Sequence, residues 1–209
     1  SIPTVFVYFW TNIVEIINHY YNYYIMVLTK TPICNFGEKP HSFHLKSIDD
    51  KMYKLEDCLG KKGTIIMFIC NHCPYVKAIV KNIVEDANKL KKIGVNSVAI
   101  MSNDTKNYPE DSFGNMKKFS KIHNFNFPYL IDETQQIAKK FGAVCTPDFF
   151  GYNRNNELQY RGRMRELKDL KPTLDGESDL LKAMKLISET NKGPESQIPS
   201  MGCNIKWKS

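Results

Sequence analysis

The run Thr64-Ile65-Ile66-Met67-Phe68-Ile69 leads straight into Cys70-Asn71-His72-Cys73 and then into a segment with helical periodicity. An apolar run without polar alternation reads as a strand buried on both faces. Such a strand belongs inside a sheet with a layer on each side, which points to an α/β arrangement. After the cysteines, Val76, Ile79, Val80, Ile83, Val84, Ala87 and Leu90 recur on one helical face, and Gly94 closes the segment. A strand-to-helix junction suits thiol chemistry, because unpaired N–H groups and the helix dipole favour thiolate over thiol. The expectation is a helix opening at Cys70, with Cys70 as the ionised thiol and Cys73, a turn later, able to close a disulfide.

The same reading extends along the chain. Phe43–Ile48 alternates like a half-buried strand, Asp49-Asp50-Lys51 turns it, and Val95–Met101 is the next buried strand. Phe113, Met116, Phe119 and Ile122 mark a helix, 129–131 a short strand, and 134–141 a short helix ended by Gly142. The residues 149–152 and 158–161 flank Asn153-Arg154-Asn155-Asn156, a hairpin signal, and Leu180, Leu181, Met184 and Ile187 share a last helical face. Strand–helix alternation followed by a hairpin and a helix predicts a central mixed β-sheet flanked by helices on both faces.

With 209 residues, 42% apolar and 24% charged, the chain can bury one sizeable core. The net charge of +7 comes from lysines spread along the chain. They read as solvated faces and not as a nucleic-acid or membrane patch. The densest run, Lys89–Lys92, falls at a helix C-terminus, where cations offset the dipole. Six cysteines with one close pair point to a reducing compartment, cytoplasmic or organellar. Residues 1–29 carry a single charge, Glu15, and many aromatics, but they lack the form of a signal peptide or a spanning helix. They are read as an N-terminal extension, with targeting or membrane attachment through 1–25 as the other reading. The domain is placed at 30–190, and 191–209 as a tail packed on it.

The segments Phe68–Lys77, Tyr108–Ser112, Tyr129–Gln135, Cys145–Phe150, Tyr160–Arg163 and Gly202–Trp207 resemble the thioredoxin superfamily, specifically its peroxiredoxin-like members related to the alkyl hydroperoxide reductase and thiol-specific antioxidant group. The resemblance implies a thioredoxin-like fold and a thiol-disulfide oxidoreductase with antioxidant character. In it Cys70 attacks, Cys73 resolves and His72 favours the thiolate. It also implies that Thr146-Pro147 is the cis-proline loop that binds substrate. No cofactor is required, but a reducing partner and a protein or small-molecule disulfide or peroxide substrate are. Peroxidase chemistry fits less well. Peroxiredoxins place their reactive cysteine at the position of Cys73, with Thr or Ser and Pro where this chain has Cys70 and Ile66, and no thiolate-stabilising arginine can be assigned. The central strand also lacks the buried acid of thioredoxins.

Cys145, in the same loop, is a third redox thiol or a small loop residue, and Cys203 is a candidate tail resolving thiol. A metal-binding or non-catalytic interaction module, holding zinc or an iron–sulfur cluster through Cys70, Cys73, Cys145 and His72, is the competing reading. Cys34 and Cys58 are read as structural, and His41, His44 and His123 as surface or packing residues. Arg161, Arg163 and Arg165 are read as a solvated strand face, and Asp132-Glu133 as a turn with a helix cap.

Overall fold

Gly63–Phe68 (β4) is buried at every position in the computed structural model, which describes residues 28–209. Successive strand side chains face opposite ways, so Ile65 and Met67 enter one apolar cluster and Ile66 and Phe68 the other. That is why the run shows no polar alternation: neither face meets water.

Val95–Met101 (β5) pairs parallel with β4, and Asp148–Asn153 (β8) pairs antiparallel on its other side. Tyr129–Ile131 (β6), His44–Ser47 (β2) and Met52–Lys54 (β3) extend the sheet beyond β5, and Leu158–Tyr160 (β9) extends it beyond β8. The result is a seven-stranded mixed sheet ordered β3-β2-β6-β5-β4-β8-β9. Pro74–Lys92 (α2), Phe113–Ile122 (α3) and Asp179–Thr190 (α5) supply buried residues to the first cluster. Leu55–Cys58 (α1) and Gln136–Phe141 (α4) supply the second. Helices therefore cover both faces, and residues 153–156 form the β8–β9 turn. The lysines at 89, 91 and 92 lie exposed in the last turn of α2. No helix among the described residues is long and apolar enough to cross a membrane.

A second, three-stranded sheet governs the site. Met201–Asn204 (β12) runs antiparallel between Leu28–Lys30 (β1) and Cys145–Thr146 (β7), with Leu28 opposite Cys203 and Cys203 opposite Thr146. Gly202 permits this approach: a Cβ there would sit 2.1 Å from the Thr146 carbonyl oxygen. A small hairpin, Leu167–Lys168 (β10) with Lys171–Pro172 (β11), completes the strands among the described residues. The expected extension 1–29 lies outside the described residues, except for Leu28 and Thr29, which join β1.

The three arginines do not form a solvated face. Arg161 is buried against Asp148, with nitrogen–oxygen distances of 3.0 and 3.4 Å, and donates to the Gly142 carbonyl. Arg163 pairs with Asp179 at 2.7 Å, and Arg165 donates to the carbonyls of Thr173 and Gly176. They are spent on joining the hairpin to neighbouring segments. Two histidines serve packing: His41 meets the edge of Phe141, and His123 that of Phe119.

Candidate active site

The helix after the central strand begins later than the periodicity implied. Cys73 is the N-cap of α2, with extended backbone angles, and Pro74 is the first helical residue. Proline suits that place because its missing N–H would have had no helical partner. Cys70 therefore sits in the bend after β4, three residues before the cap, and the thiol at the positive end of the helix is that of Cys73. The helix start expected at Cys70 thus falls three residues later, at Cys73. The signal was present in the sequence as Pro74.

Cys73 lies among sulfurs. Its Sγ is 2.8 Å from the Sγ of Cys203 and 3.1 Å from the Thr146 carbonyl oxygen. None of the six cysteines is in a disulfide. Burial works against ionising Cys73, but hydrogen bonds from the thiols of Cys203 and Cys70, and backbone N–H groups of Val76 and Cys203, outweigh it and hold its pKa well below the ordinary thiol range. The Thr146 carbonyl is a partner for the thiol form alone. Cys70 behaves oppositely. Burial raises its pKa well above the usual value, the Cys73 and Asp111 charges add to this, and the Thr146 hydroxyl at 3.3 Å offsets only part of it. Cys203 is raised by its hydrogen bond to Cys73 and by burial. One thiolate flanked by two neutral thiols is the arrangement these neighbours favour.

His72 is not an exposed turn residue. Its Nδ1 lies 2.6 Å from Asp111 Oδ2, and its ring stacks on Tyr108 at 5.7 Å between centroids. Burial lowers its pKa, but the Asp111 hydrogen bond and charge, with the negative charge of Cys73, raise it overall. Asp111 is fully buried. Its Oδ1 accepts from the backbone N–H groups of Asn71 (2.7 Å) and His72 (3.2 Å), and its Oδ2 from Asn103 Nδ2 (2.8 Å). Asn71 is held in turn by the Tyr129 hydroxyl and donates to the Glu110 carbonyl. The central strand carries no acid, so no signal in its own residues pointed to one. The acid comes instead from the short turn Pro109–Asp111, about 40 residues on.

The Thr146–Pro147 peptide is cis, and this loop edges a cleft of about 180 Å³ whose lining includes Tyr75, Ile79, Met164, Ile198 and Met201. Cys145 has its Sγ 3.7 Å from the Pro147 carbonyl, and its pKa is raised by burial first and by the charges of Asp148 and Cys73. The metal set of the competing reading, Cys70, Cys73, Cys145 and His72, does not gather as one donor group among the described residues. Among the described residues, the donors that gather within 4.8 Å are those of Cys70, His72 and Asp111. There the imidazole Nδ1 and the carboxylate point at each other, and both carboxylate oxygens already accept N–H donors. Cys58 and Cys34 lie away from the site, burial pushing the first thiol up to about 12 and the second to about 11.

The family model described as AhpC/TSA family matches residues 36–163. The chain belongs to that family. This is a family of thiol-dependent oxidoreductases and peroxidases, so the expected resemblance holds at that level. A chloroplastic peroxiredoxin Q of Populus jackii is 28% identical over 117 residues, which span 56% of this chain and half the length of that relative. The crystal structure of an uncharacterised conserved protein from Geobacillus kaustophilus superposes with a TM-score of 0.83 at 40% identity, covering 88% of this chain and 97% of that one. The thioredoxin domain of a thiol-disulfide oxidoreductase from Bacteroides vulgatus shares the fold at 11% identity, with a TM-score of 0.52 over 60% of this chain and 86% of that one. The fold is thioredoxin-like, as the sequence implied.

Proposed function

We propose that the protein is a dithiol oxidoreductase in which Cys73, and not Cys70, is the attacking thiolate. The observation that carries this reading is the Cys73 sulfur at the N-cap of α2 with thiol donors on both sides. Cys73 attacks one sulfur of a disulfide substrate, forming a mixed disulfide and expelling the other sulfur as thiolate. Cys70 then attacks the Cys73 sulfur, expels the second substrate thiolate and passes its proton to it. The substrate leaves as one thiolate and one thiol, the CxxC pair is left as a disulfide, and a reducing partner must restore the dithiol. With a peroxide, Cys73 would take the oxygen as a sulfenic acid and Cys70 would displace it as water.

His72 and Asp111 support this chemistry. An imidazolium held by the carboxylate lies close enough to feel the Cys73 charge, so the cation and the thiolate favour each other. The cleft beside Pro147 is lined by Tyr75, Ile79, Met164, Ile198 and Met201 together with Lys30, Arg163 and Arg165, which suits a substrate that joins an apolar flank to an anionic group. Cys70 and Cys73 are both 0% exposed, which favours a small oxidant over a bulky protein disulfide as first reactant.

The test is the pH profile of alkylation and of peroxide or low-molecular-weight disulfide consumption for the wild type, Cys70→Ser and Cys73→Ser. Cys73→Ser should abolish consumption, and Cys70→Ser should react at Cys73 without forming the CxxC disulfide. Wild-type rates in Cys73→Ser would overturn the assignment. So would stoichiometric zinc or iron in the anaerobically purified protein that is lost with Cys70→Ser.

A further inference from the structure

The geometry points to Cys203 as a second redox partner of Cys73, so that the oxidation captured by Cys73 moves between two alternative disulfides, Cys70–Cys73 and Cys73–Cys203. This rests on the oxidoreductase reading above, and adds a third thiol from the tail. Cys203 is not a wandering terminal residue. Backbone pairing on both edges of β12 fixes it, to Leu28 on one side and Thr146 on the other. Gly202 lets β12 press against the Thr146–Pro147 loop, where any side chain would strike the Thr146 carbonyl. The strand thereby delivers the Cys203 sulfur to 2.8 Å from that of Cys73. A disulfide needs its sulfurs about 2.05 Å apart, so closure asks for a shift of under about 1 Å.

With peroxide the steps balance as follows. The Cys73 thiolate takes one oxygen and becomes a sulfenic acid while the rest of the peroxide leaves as water or alcohol with a proton. The Cys203 sulfur attacks the Cys73 sulfur, its proton leaves with the hydroxyl as water, and the Cys73–Cys203 bond forms. Cys70 can then attack Cys73 in that disulfide, expelling Cys203, which takes up the proton that Cys70 releases. This last exchange consumes no oxidant. It transfers the disulfide from the tail strand to the CxxC pair, or back.

A purely structural Cys203 would donate a hydrogen bond to Cys73 and never be oxidised, and the experiment separates the two roles. Full-length wild type, Cys70→Ser and Cys203→Ser are treated with one equivalent of hydrogen peroxide, alkylated under denaturing conditions, and mapped by non-reducing peptide mass spectrometry. The expected result is a linked Cys73–Cys203 peptide with loss of two titratable thiols in Cys70→Ser. The wild type should contain both linked pairs, and Cys203→Ser only the CxxC disulfide. A Cys70→Ser protein whose Cys73 is oxidised while Cys203 is fully alkylated would overturn the relay and leave the oxidoreductase reading standing. An inert Cys73 in the wild type would overturn both.

Discussion

Replacing Asp111 with Asn removes one charge and almost no volume, which makes it a sharp probe of the site. The carboxylate accepts four N–H groups, two at each oxygen. An asparagine supplies one oxygen and one NH2. With its oxygen kept toward the Asn71 and His72 backbone groups, its NH2 meets the Nδ2 of Asn103 and the Nδ1 of His72. Asn103 cannot flip freely, because its Oδ1 accepts from the Lys206 backbone N–H. One donor is thus left without an acceptor, and the His72 ring must present a bare nitrogen. A lost hydrogen bond to a charged group costs about 1.5–3 kcal/mol and an unsatisfied buried donor about 1–3 kcal/mol. Allowing for partial relaxation, Asp111→Asn should lose about 3 kcal/mol, which for a chain of this size lowers Tm by roughly 6–12 °C.

The pH dependence has a definite sign. The folded pKa of His72 is raised, so its stabilising contribution is complete below the unfolded imidazole value of about 6.5 and fades as pH rises through the folded value. Asp111→Asn should flatten that part of the stability profile, lower the His72 titration midpoint in NMR, and move the alkylation profile of Cys73 to higher pH. Urea unfolding between pH 5 and pH 9 with a parallel NMR titration reads all of these. A variant within about 0.5 kcal/mol of wild type, the scatter of ordinary surface substitutions, with an unmoved His72 titration would refute the argument.

Gly202→Ala should displace β12, because its Cβ meets the backbone of Thr146 and not a yielding side chain. A loss of about 1–3 kcal/mol in chemical denaturation, with faster alkylation of Cys203, is expected. Arg161→Met leaves the buried Asp148 without its partner and should cost about 3–5 kcal/mol, measured as a fall in the denaturation midpoint. Ile66→Ala empties a fully buried position on β4 and should cost about 2–5 kcal/mol while leaving the pH profile of Cys73 alkylation unchanged. A shifted profile would mean the thiol pKa depends on core packing as well as on its polar neighbours.

The layered architecture was legible because strands and helices write their periodicity locally. The doubly apolar run of β4, the α2 face from Val76 to Leu90 and the 153–156 turn each record a backbone conformation within a few residues, and each appears where it was read. Even the helix start was available, in the Pro74 that follows Cys73. The chemistry of the cysteines was not. Which thiol ionises depends on partners that lie far away in the chain: Asp111, 39 residues beyond His72, and Cys203, 130 beyond Cys73. Arg161 reads as surface charge until its partner Asp148 is found beside it in the core.

The sequence by itself determined that a buried strand would carry a CxxC into a helix within a sheet covered on both sides, since hydrophobic periodicity is a property of neighbouring residues. Only the tertiary structure decided which donors would surround the Cys73 sulfur, that an aspartate from a distant turn would hold His72, and that a tail strand would bring a third sulfur into contact. A pKa is set by whatever charges and hydrogen-bond donors surround a group in space, and chain folding brings those together without leaving a local pattern.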